Sequence, residues 1–225
     1  MSRTFLIASL ITAFTSLASA EGRFAQPPPH AAPRVADIME APAVVDRAKV
    51  RAKLAANRAA NIQRFRNYQA AGVFPSNTYQ ANKLNVWLDE DGHFCAAATI
   101  IKMSGMDDLV NKVAEQNNFI RLADVKQGPL MDWILTSGLT QDEIAAIQEP
   151  FMPVVEQPMP EPVLPIVVDS KLRKAEDARL RAKYKSVDRM IVKHTKKSLD
   201  LATDRLMKHP RLAWTLVDSQ NVGLE

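Results

Sequence analysis

Apolar residues recur at helical spacing in a first long stretch, from Val44 to Ala71. The stretch contains no glycine or proline, and Gly72 follows it. Its apolar positions, three or four residues apart, are Val44, Ala48, Ala52, Ala55, Ala59, Ile62 and Phe65. This period is typical of an amphipathic helix, and glycine tolerates the left-handed geometry of a helix end. We therefore predict a long helix over 44–71 that is capped by Gly72.

A second long stretch, 169–209, predicts a long basic helix. It lacks glycine and proline, and Pro210 follows it. Its apolar stripe comprises Leu180, Tyr184, Val187, Ile191, Leu199, Ala202 and Leu206, with an interruption around His194 and Thr195. Such a stripe needs a partner. Two alternatives are antiparallel packing against the 44–71 helix and homo-oligomerisation through 169–209 as a coiled coil.

Shorter periodic segments lie between these two stretches. Leu84, Val86 and Leu88 alternate with polar or amphipathic residues, and an acidic turn at 89–92 ends in glycine, which predicts one short β-hairpin at 84–95. The following run is apolar on all sides and predicts a buried helix over about 96–103. A two-stranded hairpin is marginally stable alone, so we expect it to pack on helices.

Capping signals predict further short helices. Ser104 with Asp107 and Thr140 with Glu143 have the spacing of capping boxes, and Pro150 ends the last helix. The predicted fold is mainly α: a small helical core domain over 44–149 with the hairpin at 84–95, flanked by two long amphipathic helices.

The two ends of the chain and its prolines predict the remaining organisation. Residues 1–20 combine a positive start, an apolar run and an A-x-A site, as in a secretory signal peptide that is cleaved before Glu21. Clustered prolines predict a disordered leader over 21–43 and a linker over 150–168. Residues 210–225 are predicted to be a tail that Trp214 holds in place. We expect an exported protein, periplasmic or extracellular, without a transmembrane segment.

Charge is segregated along the chain. Residues 34–72 carry eight basic and three acidic residues, 73–150 carry five and eleven, and 171–211 carry fourteen and five. The basic segments could pack on the acidic one, which is the commoner use of such a pattern. They could also bind a protein or an anionic component of the cell envelope. The candidate contact residues are Lys174, Arg181, Lys185, Arg189, Lys193, Lys196 and Lys197.

Two more specific partners are disfavoured. A basic amphipathic helix can lie on an anionic membrane, but five acids interrupt the bases of 171–211: Glu176, Asp177, Asp188, Asp200 and Asp204. The helix pair at 130–148 is superficially similar to a DNA-binding helix-turn-helix. Its second helix begins with acidic residues, where phosphate would approach, so a nucleic-acid partner is disfavoured.

The candidate chemistry is sparse, and we predict no cofactor and no metal site. The one cysteine, Cys95, is expected to be buried, as free cysteines usually are. An alternative is a thiol-dependent enzyme in which His93 activates Cys95, oriented by Asp89 or Asp91. A calcium loop through Asp89, Glu90 and Asp91 lacks the closing glutamate. The leading hypothesis is an exported, non-catalytic protein that binds a protein or an anionic partner through its basic helices.

Overall fold

The computed structural model describes residues 44–156 and 167–218, which are mainly helical. The described helices are α1 (Arg47–Ala71), α2 (Ala96–Lys102), α3 (Asp107–Gln116), α4 (Pro129–Thr136), α5 (Gln141–Ile147), α6 (Ser170–Lys193), α7 (Thr195–Leu206) and α8 (Pro210–Asp218), with a 3₁₀ turn at Leu122–Asp124. The predicted signal peptide 1–20 and leader 21–43 lie outside the described residues. In the described part of the chain, no helix combines the length and the apolar character needed to cross a bilayer.

Helix α1 forms where it was predicted, but a different side of it is buried. The Asp46 carboxylate caps its first turn, and Gly72 ends it with a φ of 64°. Its buried residues are Val50, Leu54, Arg58, Asn61, Phe65 and Tyr68. Of the seven predicted apolar positions, Phe65 is buried and Ala55 and Ile62 are partly buried, but the other four are exposed, so most of the predicted face was wrong. The buried face of α1 could not be predicted from apolar spacing, because two of its six buried residues, Arg58 and Asn61, are polar.

The helix predicted over 169–209 is divided at His194 into α6 and α7. Eight residues separate Ile191 from Leu199, so an uninterrupted helix would turn the second part of the stripe about 80° away from the first. The break lets both parts face the core, and all seven predicted stripe residues are buried. The Thr195 hydroxyl donates to the Val192 carbonyl (2.9 Å) at this point.

Helices α6 and α7 run antiparallel to α1. Successive ion pairs join Arg47 to Asp204, Arg51 to Asp200 and Arg66 to Asp188, so that residue numbers rise on one side and fall on the other. The antiparallel alternative therefore accounts for the apolar stripe, which belongs to the core of the same chain. The stripe is not open for the coiled coil on which the homo-oligomer prediction rested.

The turn at 89–92 is present, but the described residues contain no β-strand. One antiparallel bridge pairs Leu88 with Phe94, and the Cys95 amide donates to the Trp87 carbonyl (2.9 Å). Leu84 pairs instead with Phe151. Phe151 and Val154 are fully buried, so the first residues of the predicted linker 150–168 belong to the core, while its residues 157–166 lie outside the described residues. These apolar side chains outweigh the local proline signal.

For the smaller elements, two predictions are confirmed and two are wrong. The buried α2 and the Thr140–Glu143 capping box are confirmed. Ser104 does not cap α3, since its hydroxyl donates to the Ile101 carbonyl and accepts from the Trp133 indole. The predicted tail contains α8, in which Ala213 is buried while Trp214 is 44% exposed. Ala213, with the partly buried Leu212, Leu216 and Val217, therefore packs this helix against the core, rather than Trp214.

Candidate anion-binding face

The seven predicted contact residues are all exposed, and we call them the basic face: Lys174, Arg181, Lys185, Arg189, Lys193, Lys196 and Lys197. Within residues 44–156 and 167–218, none of them forms an ion pair. Arg181 is the most constrained, because its guanidinium lies 5.5 Å from the centre of the Phe74 ring. The structure therefore leaves these cations open to a partner.

Four members of the basic face form a line along α6, which we call the α6 row: Lys174, Arg181, Lys185 and Arg189. At about 100° per residue, all four lie within about 40° of the direction of Lys185. The rise of about 1.5 Å per residue gives the row a length of about 22 Å. The buried stripe of α6 points between about 100° and 160° away from this direction. The row thus stands on the outer side of the helix.

The acids of the same segment are all paired. Three of them reach across to α1: Asp188 binds Arg66 (2.9 Å), Asp200 binds Arg51 (3.0 Å) and Asp204 binds Arg47 (2.6 Å). The remaining two, Glu176 and Asp177, pair with arginines of α6 itself. Charge that looks interleaved in the sequence is therefore sorted by the fold, since the acids turn towards α1 and the core.

A second group of α6 bases binds the acidic middle segment instead of facing solvent. Arg179 and Lys183 both contact Glu149, which is 7% exposed, and Arg179 also holds Glu176. Burial raises the pKa of Glu149, but hydrogen bonding to Arg179 and the charge of Lys183 outweigh it and leave the pKa below its usual value. Packing of the basic segments on the acidic one therefore accounts for the positions of Arg179 and Lys183. It does not account for the basic face, which in the described residues pairs with no acid of that segment.

The basic face continues past the break between α6 and α7. Lys193, Lys196 and Lys197 line a shallow concavity of about 470 Å³ together with His194. Its other lining residues are Asp200, Leu201 and Asp204. Because both of these aspartates already pair with α1 arginines, the concavity keeps a positive balance.

The structure separates Cys95 from His93. Cys95 is fully buried, as predicted, and its Sγ accepts a hydrogen bond from the Ala98 amide (3.4 Å) at the start of α2. Burial raises the pKa of the thiol to about 12. The His93 Nδ1 lies 3.3 Å from the Asp89 carboxylate instead, and in the described residues no hydrogen bond joins it to Cys95. The geometry offers no activated thiolate.

Asp89, Asp91 and His93 place potential ligand atoms within 4.8 Å of one another. The buried Asp89 carboxylate, however, accepts hydrogen bonds from the backbone amides of Ser76, Asp91 and His93. Glu90 accepts from the Thr78 hydroxyl (3.2 Å). These bonds hold the turn closed and engage the carboxylates of Asp89 and Glu90, two of the three acids of the calcium alternative.

The core contains a buried ionic network that was not predicted from the sequence. Arg58 donates to both oxygens of Glu143 (2.7 Å each) and to the Ile191 carbonyl, and the Ser198 hydroxyl donates to Glu143. Both charged side chains are less than 5% exposed. The signal that could have revealed it is spacing, because Arg58 continues the period of Val50 and Leu54 towards Phe65.

Comparisons with protein-family models, curated proteins and solved structures found no match. The class of protein defined by the fold and the candidate site is a helical protein with an exposed, unpaired basic face. Its function is therefore inferred from geometry and charge.

Proposed function

We propose that this chain is an exported, non-catalytic protein that binds an anionic partner of the cell envelope or extracellular space through its basic face. Export is inferred from the signal-peptide pattern of residues 1–20. The partner's negative charge is inferred from the cations that the fold leaves open.

One observation carries the proposal: the fold pairs all five acids of the 171–211 segment, whereas no acid of the described residues pairs with any of the seven members of the basic face. If the bases were only a solvated surface, acids and bases would be expected to mix along it, and the separation of paired acids from unpaired bases would have no explanation. Exposed cations on one side of a rigid element give an anionic partner complementary charge and raise its association rate.

The thiol-enzyme alternative has no comparable support. A nucleophilic cysteine requires access to substrate and a lowered pKa, whereas Cys95 is fully buried and its pKa is raised. We expect no reaction with a thiol reagent at pH 8 in the native protein and full reaction in denaturant. Labelling of the folded protein at the rate of a free thiol would restore the alternative.

The test measures binding of the chain that begins at Glu21 to soluble inorganic polyphosphate and to an envelope extract, over a series of salt concentrations. The row variant, Lys174→Gln, Arg181→Gln, Lys185→Gln and Arg189→Gln, removes four charges from the basic face. The matched control, Lys49→Gln, Lys112→Gln, Lys126→Gln and Arg211→Gln, removes four exposed charges elsewhere.

We expect the parent and the control to bind polyphosphate with an affinity that falls as salt rises, and the row variant to bind at least about tenfold more weakly. Each cation near an anionic surface contributes about 1 kcal/mol. Removing four of them should therefore weaken binding by more than tenfold, which makes tenfold a lower bound. Absence of binding by the parent to both polyphosphate and envelope extract would refute the proposal. An equal loss in row variant and control would show that net charge, not this face, is responsible.

A further inference from the structure

We infer that the partner of the basic face is a membrane surface rich in anionic lipid, on which the α6 row lies flat without inserting. This inference rests on the proposed function and narrows it to one partner. The shape of the row, the pairing of the acids and the burial of the apolar stripe support it.

The α6 row suits a plane because it is straight, and three of its four members extend into solvent. The fourth, Arg181, lies over the Phe74 ring and donates to the Gly72 carbonyl (3.4 Å). The exposed residues between its members include Ala178, Ala182 and Ser186, which are too short to hold the cationic groups away from a flat surface. The row runs along one side of a single helix for about 22 Å. Lys174, Lys185 and Arg189 can therefore contact a planar array of anionic headgroups at once, and Arg181 joins them by turning away from Phe74.

The pairing of the acids removes the main objection to a membrane. Asp177 and Asp188 are the α6 acids nearest to the row, about 60° to 80° from the direction of Lys185 and about 20° to 40° from that of Arg181 around the helix. Arg173 and Arg66 bind them. A membrane approaching the row therefore meets unpaired cations, flanked by neutralised pairs.

Insertion is excluded by packing, since the apolar stripe of α6 that an interfacial helix would bury in lipid is already buried in the core. Leu180, Tyr184 and Ile191 are at most 1% exposed. Interfacial amphipathic helices depend on such a stripe. Binding is accordingly electrostatic, at about 1 kcal/mol per basic residue near an anionic surface.

A single-stranded nucleic acid fits the row less well. Proteins that bind such strands combine a basic groove with aromatic side chains on which bases stack. The one aromatic residue of α6, Tyr184, is buried, and the row stands outward instead of lining a groove.

The test is co-sedimentation of the chain that begins at Glu21 with vesicles of phosphatidylglycerol and phosphatidylcholine in equal amounts, compared with pure phosphatidylcholine. We expect binding to the anionic vesicles alone, which moderate salt weakens. Four charges at about 1 kcal/mol each predict a partition coefficient on the order of 10³-fold lower for the row variant, and a small decrease for the matched control.

A second readout separates flat docking from insertion. Of the three tryptophans, Trp87 and Trp133 are buried and Trp214 is 44% exposed on α8. Brominated lipid should leave the tryptophan fluorescence unchanged when the protein binds through α6. Strong quenching would place α8 in the bilayer and overturn the inference.

The outcomes also separate this inference from the proposed function. Binding to polyphosphate without binding to anionic vesicles would overturn the membrane inference and leave the proposed function standing. Binding to neither, with no binding to envelope extract, would overturn both. Vesicle binding that the row variant retains in full would show that another surface docks.

Discussion

At the scale of single residues, the most demanding interaction is the buried ion pair of Arg58 with Glu143. Its two hydrogen bonds of 2.7 Å, with further bonds to the Gly138 and Ile191 carbonyls and from Ser198, satisfy most of the buried polar atoms. Removing one member of such a pair leaves a buried charge without compensation, which is far more costly than losing an exposed pair.

Arg58→Met should therefore lower the free energy of unfolding by about 3–5 kcal/mol, because the Glu143 carboxylate stays buried without its partner. Arg66→Met is the matched control on the same helix: its pair with Asp188 is half exposed, and its loss should cost less than about 1 kcal/mol. Urea denaturation measures both. Equal effects would contradict the role given to the buried pair.

Glu143 also predicts a dependence of stability on pH. Burial raises its pKa, but hydrogen bonds from Arg58, the Thr140 amide and Ser198 outweigh this and leave the pKa below its usual value. A carboxyl whose pKa is depressed in the folded state stabilises above its unfolded pKa and loses that contribution as pH falls. Unfolding free energy should thus decrease below pH 4.5.

The decrease should be smaller in Glu143→Gln, which has no proton to take up at this position. Glu115→Gln removes an exposed carboxylate as the control. Thermal or urea denaturation between pH 3 and pH 6 compares the slopes, and an unchanged slope in Glu143→Gln would refute the assignment.

Two buried tyrosines predict a substitution that raises the free energy of unfolding, whereas Arg58→Met should lower it. Tyr184 and Tyr68 lie in an aromatic cluster with Phe65 and Phe74. Their buried hydroxyls lie beside each other, and in the described structure neither forms a hydrogen bond of normal geometry. Removing an unsatisfied buried hydroxyl recovers its desolvation cost. Tyr184→Phe should raise the free energy of unfolding by about 1 kcal/mol. A destabilisation in urea denaturation would show that the hydroxyl is bonded.

At the scale of elements, the sequence predicts most helices but not which side of α1 is buried. The stripe of α6 and α7, the buried α2 and the cap by Thr140 follow from spacing and local chemistry. The inner face of α1 could not be found this way, because Arg58 and Asn61 are stabilised there by partners far away in sequence. The basic face was predicted as a set of residues, but the pairing that leaves it open depends on contacts between helices.

The turn between α4 and α5 approaches α1 most closely at Gly138. Its φ is 77°, and a Cβ there would lie 2.0 Å from the Leu54 carbonyl oxygen and 2.7 Å from the Arg58 nitrogen. These are backbone atoms of α1, and moving them would break helical hydrogen bonds. Glycine at this position is therefore required both by its conformation and by the space available.

Gly138→Ala should destabilise the protein by more than about 3 kcal/mol, since backbone strain and a clash with α1 add. Gly105→Ala is the matched control, because its φ of 88° is similar but no atom lies within 4 Å of the added Cβ. Its cost should be about 1–2 kcal/mol, from the left-handed conformation alone. Similar losses in denaturation experiments would contradict the close packing.

At the scale of the whole molecule, two segments of like net charge pack side by side. Arginines of α1 bind acids of α6 and α7, while Arg58, Arg179 and Lys183 bind the acidic middle segment. The apolar stripe of the second segment completes the core. The two basic segments are therefore structural parts of one core as well as carriers of surface charge.

A chain truncated after Glu156 should consequently fail to fold. It would expose Phe65 and Tyr68 of α1, which pack on Tyr184, and leave Arg58 without the Ile191 carbonyl. Near-ultraviolet circular dichroism and urea denaturation should show no fixed aromatic environment and no cooperative transition. A cooperative transition in the truncated chain would show that α6 to α8 are an accessory.

The contact between Val154 and Asp169 has a practical consequence. The Asp169 amide donates to the Val154 carbonyl (2.8 Å), so two points of the chain on either side of 157–166 are neighbours in the fold. A peptide tag inserted between these points would be anchored at both ends without stretching either. It would offer a handle for immobilising the folded protein while both termini keep their native sequence.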